Sequence, residues 1–86
     1  MLFIGVDGID VDFGISISNF AEATLNQKMI ETAHTIVVLA DSSKFDRRGL
    51  GRICSLEQVQ YIVTDNKVSA ATVKAIEEKG IKVIVA

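Results

Sequence analysis

The sequence predicts an α/β domain built on an open parallel sheet with helices on its faces. Four short apolar runs alternate with helical patterns along 86 residues, and this alternation is typical of right-handed βαβ crossovers. Three of the runs lack polar alternation, which indicates strands covered on both faces. A hydrophobic content of 49% and a mean hydropathy of +0.36 favour this heavily buried architecture and exclude intrinsic disorder.

The four apolar runs are the predicted strands. They are LFIGV at 2–6, TIVVLA at 35–40, YIVT at 61–64 and IKVIVA at 81–86. Between the first two runs, the segment 5–19 (GVDGIDVDFGISISN) contains three glycines and three aspartates. Because these residues favour turns, we predict a loop there.

The first helix is predicted from a start signal and an apolar stripe. Asn19 followed by Glu22 has the spacing of a capping box. A stripe spaced by four residues follows, and it would form the helix's buried face. Its members are Ala21, Leu25, Met29 and Ala33.

Two further helical segments are predicted nearer the C-terminus. The segment 55–58 (SLEQ) offers a second capping box ahead of a short helix. The last helix should begin after Ser69, turn Val73 and Ile76 inward, and end at Gly80.

Composition excludes several classes of protein. A single cysteine, Cys54, allows neither an internal disulfide nor a multi-cysteine metal site, which fits a reducing cytoplasm. The apolar runs are too short to cross a bilayer, and no secretory signal opens the chain. We therefore expect a cytoplasmic protein without a membrane segment.

Charge is unevenly distributed. Residues 1–40 are strongly acidic, whereas 44–52 contain Lys44, Arg47, Arg48 and Arg52 against one aspartate. This basic segment is too small for duplex nucleic acid, which requires many phosphate contacts. A single small anion suits it better, and a solvated loop with outward arginines is the alternative.

Three aspartates follow predicted strands. Asp7, Asp41 and Asp65 should share one edge of the sheet, because ligands of parallel α/β sheets collect beyond the strands' carboxyl ends. Any one of them could instead be a turn or cap residue. Lys44 lies just past the second strand, where an ammonium can meet a phosphate or sugar hydroxyls. Backbone N–H groups of the Ser-Ser turn before it could assist.

Other chemistries are poorly supported. Glycines 5, 8 and 14 do not form the dinucleotide fingerprint. Asp7, Asp10 and Asp12 resemble part of a calcium-binding loop, but the glycine and glutamate that such a loop needs at later positions are missing. His34 has no second histidine to share a metal, and Ser42 and Ser43 have no nearby base for nucleophilic catalysis.

A family resemblance rests on five ordered segments: FIGVDGI, GIS at 14–16, VVLADSSKF, YIVTD and GIKVIVA. With them the chain resembles the sensor domain of DeoR-family transcriptional repressors, the group that contains the glycerol-3-phosphate repressor. The resemblance implies a bacterial repressor with an N-terminal winged helix-turn-helix and a C-terminal domain that binds a phosphorylated sugar or polyol. It also implies a fold like that of ribose-5-phosphate isomerase and the CoA-transferases.

The resemblance further implies that residues 1–86 are the C-terminal portion of that sensor domain. The helix-turn-helix is not matched, so the chain should contact DNA only through a domain that it lacks. The first part of the sensor domain, with the family's GST-type loop, is not matched either.

The isomerase comparison can be followed residue by residue. Its DGAD acid pair is matched by Asp7 and Asp10, and its DxSK by Asp41, Ser43 and Lys44. Its KGGGG stretch is unmatched, and its proton-abstracting glutamate falls on Gln27. Because an amide cannot act as that base, we expect no enzyme.

The resemblance thus implies effector binding without catalytic residues, metal or cofactor. The implied effector-binding residues are Asp7, Gly8, Asp10, Ser16, Glu22, Asp41 and Lys44. Two alternatives stay open: an active sugar-phosphate isomerase-like enzyme, and an oligomerisation module without a ligand. A homo-oligomer is expected in either case, because a parallel sheet cut at an edge exposes unpaired backbone groups and apolar surface.

Overall fold

The computed structural model describes all of residues 1–86. The elements, in chain order, are β1 (Leu2–Gly5), β2 (Gly8–Asp10), β3 (Gly14–Ile17), α1 (Phe20–Thr32), β4 (Ile36–Leu39), β5 (Gly51–Cys54), β6 (Tyr61–Thr64), α2 (Ala70–Glu77) and β7 (Lys82–Val85). Two 3₁₀ turns, Ser42–Lys44 and Leu56–Gln58, lie between strands. Neither α-helix is long and apolar enough to cross a membrane.

Strands β1, β4, β6 and β7 form a parallel sheet in that order. In its register Ile4 lies beside Val38, Val38 beside Ile62, and Ile62 beside Val83. Ile4, Val38 and Ile62 are at most 5% exposed and belong to the hydrophobic core. The predicted α/β class with a parallel sheet is therefore confirmed.

Both helices lie on the same side of this sheet, where α2 contacts β7 and α1 contacts mainly β3 and β5. The strands follow one another across the sheet in chain order, so right-handed crossovers all return on one side. The buried residues of both helices accordingly join the core of that face. The opposite face carries Phe3, Leu39 and Ile84, which are 58%, 43% and 41% exposed. Val37 lies between Phe3 and Tyr61 on this face and is 5% exposed, so the centre of the face is shielded by neighbouring side chains. Since the helices lie on one side only, the prediction of strands covered on both faces is wrong.

The segment predicted as a loop at 5–19 instead contains two strands of a second sheet, so that prediction is wrong. Strands β2, β3 and β5 form an antiparallel sheet in the order β2-β3-β5. Asp10 holds the β2–β3 turn, since its Oδ1 accepts the N–H groups of Asp12 at 2.9 Å and Phe13 at 2.8 Å. Gly14 then has a φ of +97°, and a Cβ there would overlap the carbonyl oxygen of Cys54.

Helix α1 has a different buried face from the one predicted. Ala23 and Ile30 are buried, whereas Leu25 is 60% and Met29 37% exposed. The helix packs against β5 and β3, and a Cβ on Gly51 would lie 2.6 Å from that of Ala23. This close approach to β5 sets the rotation of α1, and it turns the predicted stripe outward.

The predicted helix caps are present. Asn19 accepts the N–H of the residue three positions on at 3.1 Å, and Ser69 does the same at 3.1 Å. Ser55 donates its N–H to Gln58 at 3.1 Å in the second capping box. Gly80, with a φ of +91°, follows the last turn of α2. The N-caps could be predicted because each depends on a few neighbouring residues. The first capping box has only its Asn19 hydrogen bond, and α2 ends at Glu77, earlier than the predicted end at Gly80.

Candidate functional site

The carboxyl ends of β1, β4 and β6 form one edge of the parallel sheet, here called the rim. The three strands are neighbours and run in the same direction. Asp7, Asp41 and Asp65, which follow them, therefore lie in adjacent loops of this edge. This is where open α/β sheets place their ligands.

The 3₁₀ turn Ser42–Lys44 is held by two carboxylates. Asp41 caps it, accepting the N–H of Ser43 at 2.9 Å and the hydroxyl of Ser43. Asp65, from the loop after β6, accepts the N–H of Ser42 at 3.0 Å and that of Lys67 at 2.8 Å. The loops after β4 and β6 are thus joined by a hydrogen bond.

Asp7 and Lys44 complete the rim. Asp7 Oδ2 accepts the N–H of Ser18 at 2.9 Å and its hydroxyl at 3.0 Å, and these hydrogen bonds lower the pKa of Asp7. The positive charge of Lys44 also lowers this pKa. At Asp41 the pKa is lowered by the hydrogen bonds from Ser43 and further by Lys44, while the charge of Asp65 opposes the shift. The ammonium therefore acts on two aspartates from neighbouring strands.

The backbone of the Ser-Ser turn is not available to an anion, contrary to expectation. The N–H groups of Ser42 and Ser43 donate to Asp65 and Asp41, and that of Lys44 donates to the Asp41 carbonyl at 3.1 Å. Carboxylates outnumber ammonium groups at the rim. It is consequently rich in acceptors for hydroxyl groups. In addition to the hydrogen bonds that these carboxylates accept, the charge of Lys44 lowers the pKa of Asp7 and Asp41, and that of Lys67 lowers the pKa of Asp65.

Asp10, Ser16 and Gly8 lie in the β2–β3 hairpin and have partners inside the protein. Asp10 holds its own turn and pairs with Arg48 at 3.2 Å, and the hydrogen bonds from Phe13 and Arg48 lower its pKa. Ser16 is fully buried, and its Oγ accepts the N–H of Gly49 at 2.7 Å. A Cβ on Gly8 would lie 2.5 Å from that same Oγ. Their contacts fasten the hairpin to residues 47–49.

Glu22 and the arginines of the basic segment lie apart from this network. Glu22 is exposed in the first turn of α1. The guanidinium groups of Arg48 and Arg52 lie 5.4 and 5.8 Å from the centre of the Phe13 ring, and Arg52 donates to the Phe13 carbonyl at 2.6 Å. These two arginines stabilise the hairpin tip. Of the basic segment, Lys44 is the residue linked electrostatically to the rim aspartates.

The rim is an open surface rather than a cavity. Three depressions, of about 550, 460 and 330 Å³, lie on the outer side of α2, at the amino ends of the strands, and between β1 and the end of α1. None is lined by Asp7, Asp41 or Lys44. The rim is distinguished by its chemistry and by its place in the fold, not by its depth.

Other reactive groups offer less. No group of three or more His, Cys, Asp or Glu side chains is arranged to hold a metal ion. Burial raises the pKa of the Cys54 thiol to about 11, so little thiolate is present at neutral pH. These observations give no support to the calcium site considered from the sequence or to a reactive Cys54 thiol.

Several residues of the rim network, among them Ser18, Ser42 and Asp65, were not among the implied binding residues. Ser18 reaches Asp7 only because β3 returns antiparallel beside β2, and that hairpin was not predicted. Ser42 reaches Asp65 across two loops. Asp65 was placed on the rim from the sequence, but its role in holding the turn could not be derived from strand order.

Acidification is expected to destabilise the fold through Asp7. A carboxylate with a depressed pKa stabilises the folded state above its unfolded pKa of about 4, and this contribution is lost as pH falls through the lowered value. Asp7→Asn should lower the melting temperature near neutral pH and flatten its decline between about pH 5 and pH 2. Circular dichroism melts at several pH values measure this.

Asp12→Asn is the matched control, because the Asp12 carboxylate accepts no side-chain hydrogen bond in the structure. It should keep the acid dependence of the unchanged chain. If the melting temperature of Asp7→Asn fell with pH as steeply as that of the unsubstituted chain, the Ser18 hydrogen bonds would not contribute to stability.

Comparison with known proteins matches the chain to one domain of a family of transcriptional regulators. The family model for the DeoR C terminal sensor domain matches residues 1–66. An Escherichia coli O157:H7 protein named as an aga operon transcriptional repressor is 40% identical over 84 residues, which are 98% of this chain and 31% of that protein. The HTH-type transcriptional regulator YulB of Bacillus subtilis (strain 168) is 41% identical over 81 residues. These residues are 94% of this chain and 31% of YulB.

A third relative is the HTH-type transcriptional regulator GlpR of Haloferax volcanii, 34% identical over 84 residues, which cover 98% of this chain and 33% of the relative. The chain thus spans about a third of the length of these relatives. All three are named as transcriptional regulators, which agrees with the prediction that the chain is not an enzyme. With the family model matched over most of its length, the chain belongs to the DeoR C-terminal sensor domain family.

Proposed function

We propose that this chain is the effector-sensing part of a cytoplasmic transcriptional regulator, and that the rim binds a phosphorylated sugar or polyol. The observation that carries the proposal is the position of Lys44, whose charge acts on Asp7 and Asp41 at the carboxyl ends of adjacent parallel strands. A cation among carboxylates at this edge can recognise a ligand that is anionic at one end and rich in hydroxyls along its length.

Each rim residue has a defined role in the proposal. Asp7 and Asp41 each accept hydrogen bonds from one serine and keep further lone pairs for ligand hydroxyls. Lys44 meets the phosphate as a point charge. Since the neighbouring N–H groups donate to Asp41 and Asp65, the remaining phosphate donors must come from outside this turn.

The other implied residues are assigned supporting roles. Gly8, Asp10 and Ser16 keep the hairpin in the position that brings Ser18 to Asp7. Glu22 is an exposed carboxylate in the first turn of the helix that follows Ser18, and it is proposed as a contact for a distal hydroxyl.

Control of transcription follows from linkage. In an intact regulator, an effector that binds the DNA-released conformation more tightly shifts the population toward it. The DNA contact belongs to an N-terminal helix-turn-helix, which is proposed to precede a region like this one. The rim then needs only to bind the effector with different affinities in the two conformations, and it needs no catalytic base.

A domain graft tests the proposal. The matching region of the Escherichia coli aga operon regulator is replaced by this chain, giving a protein called the grafted regulator. Its binding to aga operon control DNA is followed by fluorescence anisotropy while phosphorylated sugars and polyols are added one at a time. At least one phosphorylated compound should release the DNA, and its unphosphorylated form should not.

Thermal unfolding of the grafted regulator gives a second readout, since a ligand at 100 times its Kd stabilises by about 2.7 kcal/mol. A grafted regulator that binds DNA, and that neither responds to nor is stabilised by any phosphorylated compound, would contradict the proposal. Aldose-to-ketose conversion by the purified chain would favour the isomerase-like alternative instead.

A further inference from the structure

We propose that Asp46 is a positioning residue of the rim, because the left-handed backbone at this residue sets where Lys44 lies relative to Asp7. The role assigned to Asp46 rests on the proposed function, in which Lys44 meets the phosphate. It is supported by a bridge between the loop after β4 and strand β2, by the backbone conformation of Asp46, and by the path of residues 47–49 across the β2–β3 hairpin.

The residue after Lys44 is anchored on the hairpin. Phe45 is 9% exposed and forms a parallel bridge with Ile9 of β2, which is 1% exposed. Because the two segments run in the same direction at this bridge, Lys44 and Asp7 both precede it and lie at the same end of it. The bridge thus explains why the charge of Lys44 acts on Asp7, which belongs to a different loop.

Asp46 changes the direction of the chain immediately after this bridge. It is the one residue other than glycine with a positive φ, +59°, and its N–H donates to the Ile9 carbonyl at 2.7 Å. In this left-handed conformation the Cβ is crowded by the following carbonyl oxygen. Aspartate tolerates the crowding better than most residues, and β-branched residues tolerate it poorly. The Asp46 side chain is exposed and makes no ion pair, so we assign the role to its backbone and not to its charge.

The change of direction at Asp46 brings residues 47–49 back across the hairpin. A Cβ on Gly8 would lie 2.6 Å from the Arg47 carbonyl oxygen, so the chain crosses directly over the residue that follows Asp7. The N–H of Gly49 then donates to the buried Oγ of Ser16 in β3 at 2.7 Å. Because φ at Asp46 sets the direction in which the chain leaves the bridge, an extended backbone there would not allow the bridge and these contacts to form together.

Lys44 is therefore held from both sides. Before it, two aspartates accept the N–H groups of the turn Ser42–Lys44 and fix the turn to the loops of the parallel sheet. After it, Phe45 and Asp46 fix the chain to the hairpin. A change in the conformation of Asp46 should consequently move the ammonium away from Asp7 while the turn itself stays capped.

A series of substitutions at Asp46 tests this role in the 86-residue chain. Asp46→Gly and Asp46→Asn remove the charge and keep the left-handed conformation accessible, whereas Asp46→Val disfavours it. The measured quantity is the pKa of the Asp7 carboxyl, followed by NMR as the pH is changed. This pKa should rise in Asp46→Val toward its value in Lys44→Met, and it should stay close to that of the unsubstituted chain in Asp46→Gly and Asp46→Asn. Combining Asp46→Val with Lys44→Met should raise it no further.

The grafted regulator gives the functional measurement. Asp46→Val should raise the effector concentration needed for DNA release about tenfold, because a displaced ammonium loses much of its interaction with the phosphate. Asp46→Gly should retain the response of the unsubstituted regulator. DNA binding without effector should be the same in both variants.

Circular dichroism checks that the variants fold, and the less crowded Asp46→Ala takes the place of Asp46→Val if the valine variant does not. An unchanged Asp7 pKa in a folded valine or alanine variant would overturn the role of Asp46. Equal pKa shifts in the glycine and valine variants would also overturn it, since the lost charge would then be the cause. A raised Asp7 pKa together with an unchanged effector response would support the positioning of Lys44 by Asp46 and contradict effector binding at the rim.

Discussion

Replacing Lys44 by methionine in the grafted regulator should raise the effector concentration needed for DNA release by about 10- to 100-fold, because hydrogen bonds to charged groups contribute about 1.5 to 3 kcal/mol. The methionine keeps most of the side chain's apolar length and removes its charge. Binding to operator DNA without effector should be unchanged, since Lys44 lies at the rim of the sensor region. Anisotropy titrations in the presence and absence of effector separate the two quantities.

The control for Lys44 is Lys28→Met on the exposed side of α1, which removes the same charge and makes no rim contact. It should leave the response to effector unchanged. An unchanged response in Lys44→Met would remove Lys44 from the site. If Lys44→Met lost DNA binding and Lys28→Met kept it, Lys44 would be needed for the fold or for the DNA-bound conformation and not for effector binding.

Truncating Ile62 to alanine should be the most destabilising single change in the sheet. Ile62 is 0% exposed and lies between Val38 and Val83 in the parallel register. Removing a buried isoleucine side chain beyond Cβ costs about 2 to 5 kcal/mol, which is a large part of the about 5 to 15 kcal/mol that stabilises a typical domain. In a chain of this size each kcal/mol lowers the melting temperature by about 4 to 8 °C.

Ile84→Ala is the control for Ile62, since it makes the same chemical change on the opposite face, where Ile84 is 41% exposed. Its cost should be about 1 kcal/mol or less, because little buried surface is lost. Urea denaturation at a low protein concentration compares the two variants without self-association. Equal losses would mean that the face with Ile84 is also covered, and that the packing of this sheet has been assigned incorrectly.

The parallel sheet could be predicted from the sequence because each strand is a continuous apolar run, and the caps because each depends on a few neighbouring residues. The hairpin could not. Strands β2 and β3 have three and four residues, and their aspartates and glycines favour turns when considered alone. Their pairing depends on β5, which is about forty residues away in the sequence. The rotation of α1 was missed for a similar reason, because it depends on contact between Ala23 and Gly51.

The candidate site, too, could be predicted only in part. Strand order alone placed Asp7, Asp41 and Asp65 on one edge, and that edge exists. The partners of each carboxylate required tertiary structure, because Ser18 and Ser42 reach their aspartates from other segments. The availability of N–H groups in the Ser-Ser turn was misjudged, since the sequence does not reveal which acceptors surround a turn. Which rim residues meet a ligand stays a prediction.

The hydrogen bonds that fix the turn after β4 bear on how a small molecule can be sensed. Asp41 and Asp65 set the shape of Ser42–Lys44 before any ligand arrives, so little conformational freedom is left to lose upon binding. For the proposed effector site, this preorganisation means that less of the ligand's binding free energy is spent on ordering the turn, which favours the binding of a small metabolite.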